Sequence, residues 1–178
     1  MHPLLQQLTG GDRRSIGASN AVAAQVLAAP ELLAVLFQGM RSDDPLLRMR
    51  CADAAEKVTA QQPDWLLPYK ALLLGELLEV AQAEVRWHVV PMLVRLPLTD
   101  AEVATVYARL LAFCNARSSI LKTLSMQALA DLALQHPHLL ADTLRHLREL
   151  TVTGTPAMRA RGRMLLASLS KVTPISTG

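Results

Sequence analysis

The chain of 178 residues is long enough for one domain with a hydrophobic core and too short for two ordinary ones. Apolar residues make up 51% of it but aromatics only 3%, so its hydrophobicity lies in Leu, Ala, Val and Met, which suit helices better than strands. The net charge of +3 is small, and Cys51 and Cys114 are too few and too unpatterned for a disulfide framework or a zinc site; both are expected as small core residues.

The first residues, MHPLLQQLTGGDRR, lack the basic start and apolar run of a secretory signal. The longest apolar stretch, residues 21–40, is interrupted by Gln25, Pro30, Glu31 and Gln38, whereas a membrane span needs ~20 clean residues. A cytoplasmic protein without a membrane span is therefore expected.

From residue 30 onward one frame recurs. Arg48, Arg86, Lys122 and Arg159 stand 38, 36 and 37 residues apart. Twelve residues before each anchor is a leucine (Leu36, Leu74, Leu110, Leu147), and one before it Leu47, Val85, Leu121 or Met158. Three after it comes a residue of modest size (Cys51, Val89, Ser125, Gly162). Seven after come Ala55, Leu93, Leu129 and Leu166, and ten after come Val58, Leu96, Leu132 and Leu169. The steps −1, +3, +7 and +10 follow the helical period and predict one buried stripe per unit.

The first half of each unit carries its own stripe, such as Leu33, Leu36, Phe37 and Met40, or Leu144, Leu147 and Leu150. Short turn segments join the halves: SDDP, QAE, ARSS and GTP. Asp44 before Pro45 and Thr155 before Pro156 predict capped helix starts, and Thr99 with Glu102 has the spacing of a capping box. The units fall at about 30–60, 64–96, 99–135 and 138–171. Residues 12–29 fit the frame weakly from Arg14, with Gly17, Ala21 and Ala24 in the matching slots, and are expected to cap the stack. No hairpin buries both faces alone, so neighbours must stack.

Unit length, paired helices and the D-P-x-x-R turn at 44–48 resemble HEAT repeats, close kin of armadillo repeats, and GDRRSIG, RMRCADAAEKVT and EVRWHVV are similar to stretches of small bacterial HEAT-repeat proteins without an assigned activity. The resemblance implies a right-handed α-solenoid of about four hairpins with an N-terminal capping helix, all-α throughout. It also implies that the anchor basic residue reaches the turn between its helices.

The stretch EVRWHVVP, residues 84–91, sets the scarce Trp87 and His88 beside Arg86 and Glu84. In the frame Arg86 is an anchor, and Trp87 and His88 sit in slots that flank the buried stripe. Trp87 then either packs between repeats or stands as a binding anchor; Pro91 removes a backbone hydrogen bond and is expected to kink its helix. The HEAT-repeat iron enzymes called deoxyhypusine hydroxylases carry His-Glu dipeptides, and this chain has none. HEAT-like alkylpurine DNA glycosylases place an Asp one turn after a Trp, where Trp87 has Pro91 and Trp65 has Tyr69. His136, His138 and His146 lack companions at metal-site spacing, and there is no phosphate loop, nucleophile elbow or C-x-x-C. No cofactor, metal or catalysis is expected.

The slots at +2, +5 and +9 instead form a mixed-charge strip: Arg50, Asp53 and Lys57; His88, Pro91 and Arg95; Leu124, Gln127 and Asp131; Arg161, Met164 and Ser168. The expected function is a non-catalytic module that binds a protein on its concave face through Arg50, Asp53, Lys57, Trp87, His88, Arg95, Gln127, Asp131 and Arg161. The alternative is a nucleic-acid-associated protein, since residues 138–178 hold six Arg/Lys against two acids. Arg145, Arg148, Arg161, Arg163 and Lys171 would then meet phosphates.

Overall fold

Prolines and short polar side chains set where the helices of this chain begin. In the computed structural model, which describes residues 1–12 and 15–172, Asp44 accepts a bond from the Leu46 amide just ahead of Pro45, and Ser118 caps the Leu121 amide. Thr99 and Glu102 form the complete capping box. Thr155 accepts from the Met158 amide before Pro156. Each satisfies a helix-start donor that would otherwise lack a partner.

Among the described residues the secondary structure is helical, without a strand. The chain divides into two compact units, Met1–Pro97 and Leu98–Gly178. The first contains α1 (Pro3–Gln6), α2 (Ser19–Ala28), α3 (Leu33–Gly39), α4 (Pro45–Gln61), α5 (Lys70–Leu72) and α6 (Ala83–Leu93). In it α4 packs against α2, α3 and α6. The second contains α7 (Asp100–Phe113), α8 (Ser119–Gln135), α9 (Leu140–Thr153) and α10 (Pro156–Val172), with α10 packed on α8 and α9. Arg14, on which the weak frame of residues 12–29 rests, lies outside the described residues.

The repeating stripe is the core. Leu47, Cys51, Ala55 and Val58 on α4, and Leu121, Ser125, Leu129 and Leu132 on α8, are all buried. Burial pushes the Cys51 and Cys114 thiols up to about 12, so both stay protonated core groups. At Gly162, in the slot that Cys51 and Ser125 fill elsewhere, a Cβ would run into Thr151 Oγ1. The Thr151 side chain of α9 takes the space a side chain would need there.

Two local departures alter the frame. Leu73–Leu77 forms a π-helical turn, whose wider winding rotates the register. Leu73 and Leu77 therefore take the core positions, and Leu74, expected in the stripe, is only half-buried. Leu144, Leu150 and Leu166 are likewise half-buried rather than core. Pro91 removes the amide that would bond to the Trp87 carbonyl, and α6 ends two residues later. It has 11 residues where α4, α8 and α10 have 17 each.

Leu110, on α7, is fully buried. Leu110→Ala is expected to cost roughly 2 to 5 kcal/mol, since transfer and packing are both lost; a denaturant midpoint equal to wild type would show that this slot is not core.

Candidate functional site

The first rung of the mixed-charge strip is closed by the chain itself. Arg50, expected at the surface for a partner, is 2% exposed, so its placement there needs correction. Its Nη1 donates to the Leu8 and Gly10 carbonyls at 2.9 and 2.6 Å, Nη2 to Asp12 at 3.0 Å, and Nε to Ser15 at 3.1 Å. The segment manages this turn through positive φ at Gly10, Gly11 and Gly17. A Cβ on Gly17 would lie 2.8 Å from the guanidinium carbon, so the arginine lies flat against a bare backbone. This pairing gives a structural reason for GDRRSIG and RMRC to occur in one chain.

Further along the same face, Asp53 is also largely buried, at 6%. Its carboxylate meets Lys57 Nζ at 2.6 Å and His88 Nδ1 at 3.8 Å, and Lys57 also donates to Asn20 Oδ1 at 2.6 Å. Beside it Arg95 donates to Glu56 twice, to the carboxylate at 2.5 Å and to the carbonyl at 3.2 Å. Burial lowers the His88 pKa below its ordinary 6.5, and Lys57 adds to this; the attraction of Asp53 and Glu56 opposes without prevailing.

A matching rung stands in the second unit. Arg161 Nη1 donates to Gln127 Oε1 at 3.3 Å, and Gln127 Nε2 donates to Asp131 at 2.9 Å. In both units the residue at +2 reaches the residue at +5 of the preceding repeat: His88 to Asp53, and Arg161 to Gln127. Asn20 and Glu56 complete the first network and were not singled out in the sequence. Glu56 had a signal there, because it and Arg95 are opposite charges 39 residues apart, close to one repeat.

Trp87 is half-buried. The anchor Arg48 donates to the Ser42 carbonyl of its own turn at 2.7 Å and to Gln82 at 2.9 Å, so it ties the turn to the start of α6. Of the C-terminal cations, Arg148, Arg163 and Lys171 are exposed and Arg161 is half-buried. Arg145 is engaged by Asp142, whose carboxyl this bond holds below its usual range. The Tyr107 hydroxyl joins Asp142 and Thr143, each at 3.1 Å.

The sequence matches no family model and no curated protein. Among solved structures it is similar to an engineered protein at 15% identity and a TM-score of 0.65, over 94% of this chain and 78% of that one. It is also similar to a computationally designed armadillo repeat protein for modular peptide recognition, at 17% identity and a TM-score of 0.66, over 93% and 80%. These likenesses show an all-α solenoid of the armadillo type. Among the described residues no helix is long and apolar enough to cross a membrane.

Two outcomes follow from the buried groups. Arg50→Met leaves four carbonyls without their charged donor, at a cost of about 3 kcal/mol. Hydrogen exchange should then accelerate in residues 8–12; unchanged protection and stability would refute the clamp. For His88, the lowered folded pKa means that the unfolded chain binds more protons below pH 6.5. Its contribution is therefore intact above that pH and falls away as the pH drops towards the folded value. Urea titrations of wild type and His88→Gln at successive pH values should show a shallower acid-side loss in the variant, and equal slopes would count against this role.

Proposed function

We propose that this chain is a non-catalytic interaction module that binds a protein segment along the +2, +5 and +9 face of its second helices. The observation that carries the reading is the repeated rung. In each unit, side chains one repeat apart meet on this face and hold polar groups in fixed positions, and ordered polar groups with few lost rotamers favour recognition. The likeness to a solenoid designed for peptide recognition supports the same reading. The first rung is taken by Arg50, which leaves Asp53, Lys57, His88 and Arg95 in one unit and Gln127, Asp131 and Arg161 in the other, with Trp87 at the edge.

A second reading, nucleic-acid association, has one specific feature in its favour: α10 carries Arg159, Arg161, Arg163 and Lys171 and no acid. Grouped cations neutralise phosphates with little regard to sequence, and such binding weakens steeply as salt rises.

Selection of a random peptide library against the full chain separates the two. Enriched peptides whose binding is weakened by substitutions on the strip support the module. No enrichment, together with salt-sensitive binding to duplex DNA or single-stranded RNA that Arg161→Glu plus Arg163→Glu abolishes, would establish the second reading in its place.

A further inference from the structure

The strip residues of the two units differ in what they leave open. In the first unit the polar groups answer one another: Asp53 with Lys57 and His88, Glu56 with Arg95. In the second unit the same slots carry one polar rung, in which Arg161 donates to Gln127 and Gln127 to Asp131, with apolar side chains beside it. Ile120, Gln127 and Leu134 are spaced by seven along α8 and so share one side of it. Ile120 is 49% exposed and Leu134 46%.

On α10 the core stripe is Met158, Gly162, Leu165 and Leu169. Helical geometry places Ala157, Ala160 and Met164 away from it, all exposed, with Met164 at 65%. The Arg161–Gln127 bond shows that the open sides of α8 and α10 adjoin. Three of the large apolar side chains that this protein exposes thus surround one hydrogen-bonded rung, where scattered exposure would be the ordinary case.

Charge decides what this surface fits. Residues 98–178 hold nine Lys/Arg against five Asp/Glu, while residues 1–97 hold nine against ten. On α10 itself every charge is positive. We propose that the α8–α10 face of the second unit is the docking surface and that its occupant is an acidic, apolar protein segment. Its aliphatic side chains cover Ile120, Leu134 and Met164, and its carboxylates meet Arg161 and Lys171. Apolar contact supplies the core of such an interface and complementary charge fixes orientation and partner choice. A second copy docking through its own α10 would set cations against cations, and a phosphate backbone has nothing to cover Met164 and Leu134. This inference rests on the module reading and names the partner of its second-unit half.

The probe is a labelled peptide of leucine and glutamate, with counterparts in which lysine replaces glutamate or serine replaces leucine, titrated against the full chain. The leucine–glutamate peptide is expected to bind roughly tenfold or more tightly than either counterpart, and Met164→Asp or Leu134→Asp to weaken it by a similar factor. Both positions are exposed, so the variants keep the wild-type circular dichroism and unfolding midpoint. Lys57→Ala, in the first unit, should leave this binding unchanged. Equal binding of all three peptides, or indifference to both aspartate variants, overturns the proposal. So does concentration-dependent self-association that Met164→Asp abolishes, because the occupant is then a second copy. If library selection yields peptides while the leucine–glutamate probe does not bind, only this inference fails; if selection yields none, the module reading fails with it.

Discussion

The apolar stripe on each second helix has more sides than one partner helix can cover, and the rest of the structure depends on that surplus. On α4, Leu47, Cys51, Ala55 and Val58 are nearly or wholly inaccessible because α2, α3 and α6 close in from different directions. A buried leucine contributes about 1.5 to 3 kcal/mol by leaving water, so a hairpin with half its stripe wet has little to set against its ordering entropy. Stacking follows from this deficit, and it holds neighbouring second helices side by side.

Stacking at one repeat spacing also brings like slots next to each other. Residues that flank the stripe then meet their equivalents from the next repeat, which is how His88 finds Asp53 and Arg161 finds Gln127. The polar face is thus a by-product of core packing. Its chemistry depends on which side chains occupy the slots. Near the N-terminus the slot holds an arginine long enough to reach a loop, and the chain folds its own carbonyls over the guanidinium. A lysine in that place, with one compact ammonium in place of a planar fork, would not span the same four acceptors.

Much of this was legible in the sequence because it is local or periodic. The steps −1, +3, +7 and +10 mark buried positions on α4 and α8, and Asp44, Thr99 and Glu102 mark helix starts by a mechanism that acts within three residues. The missing amide of Pro91 marks a disturbed helix, read from the sequence as a kink, and α6 ends at Leu93. Arg50 was not legible, since its slot reads like those of His88 and Arg161, and it is the carbonyls of Leu8, Gly10, Asp12 and Ser15 that enclose it. Leu74 failed for a different reason: the π turn inserts its extra winding around Gly75, and a lone glycine inside a helical pattern does not announce a change of register.

The unequal treatment of one repeated face is the feature that ties composition to function. Where acids and bases stand in reach of one another, as at Asp53 and Lys57 within α4 and at Glu56 and Arg95 one repeat apart, each charge finds its partner inside the protein. An incoming ligand meets polar groups already held in place there, and any new pairing exchanges one partner for another. In the second unit the slots hold Leu124, Gln127, Asp131, Arg161, Met164 and Ser168, two of the six charged, and α10 contributes cations with no acid of its own. The second unit's face keeps apolar area and positive charge in hand. A partner able to supply both aliphatic surface and carboxylates would there exchange the bond from Arg161 to the neutral Gln127 for one to a charged acceptor, so the physical distinction between the two units lies in what is already satisfied by an opposite charge rather than in how polar each one is.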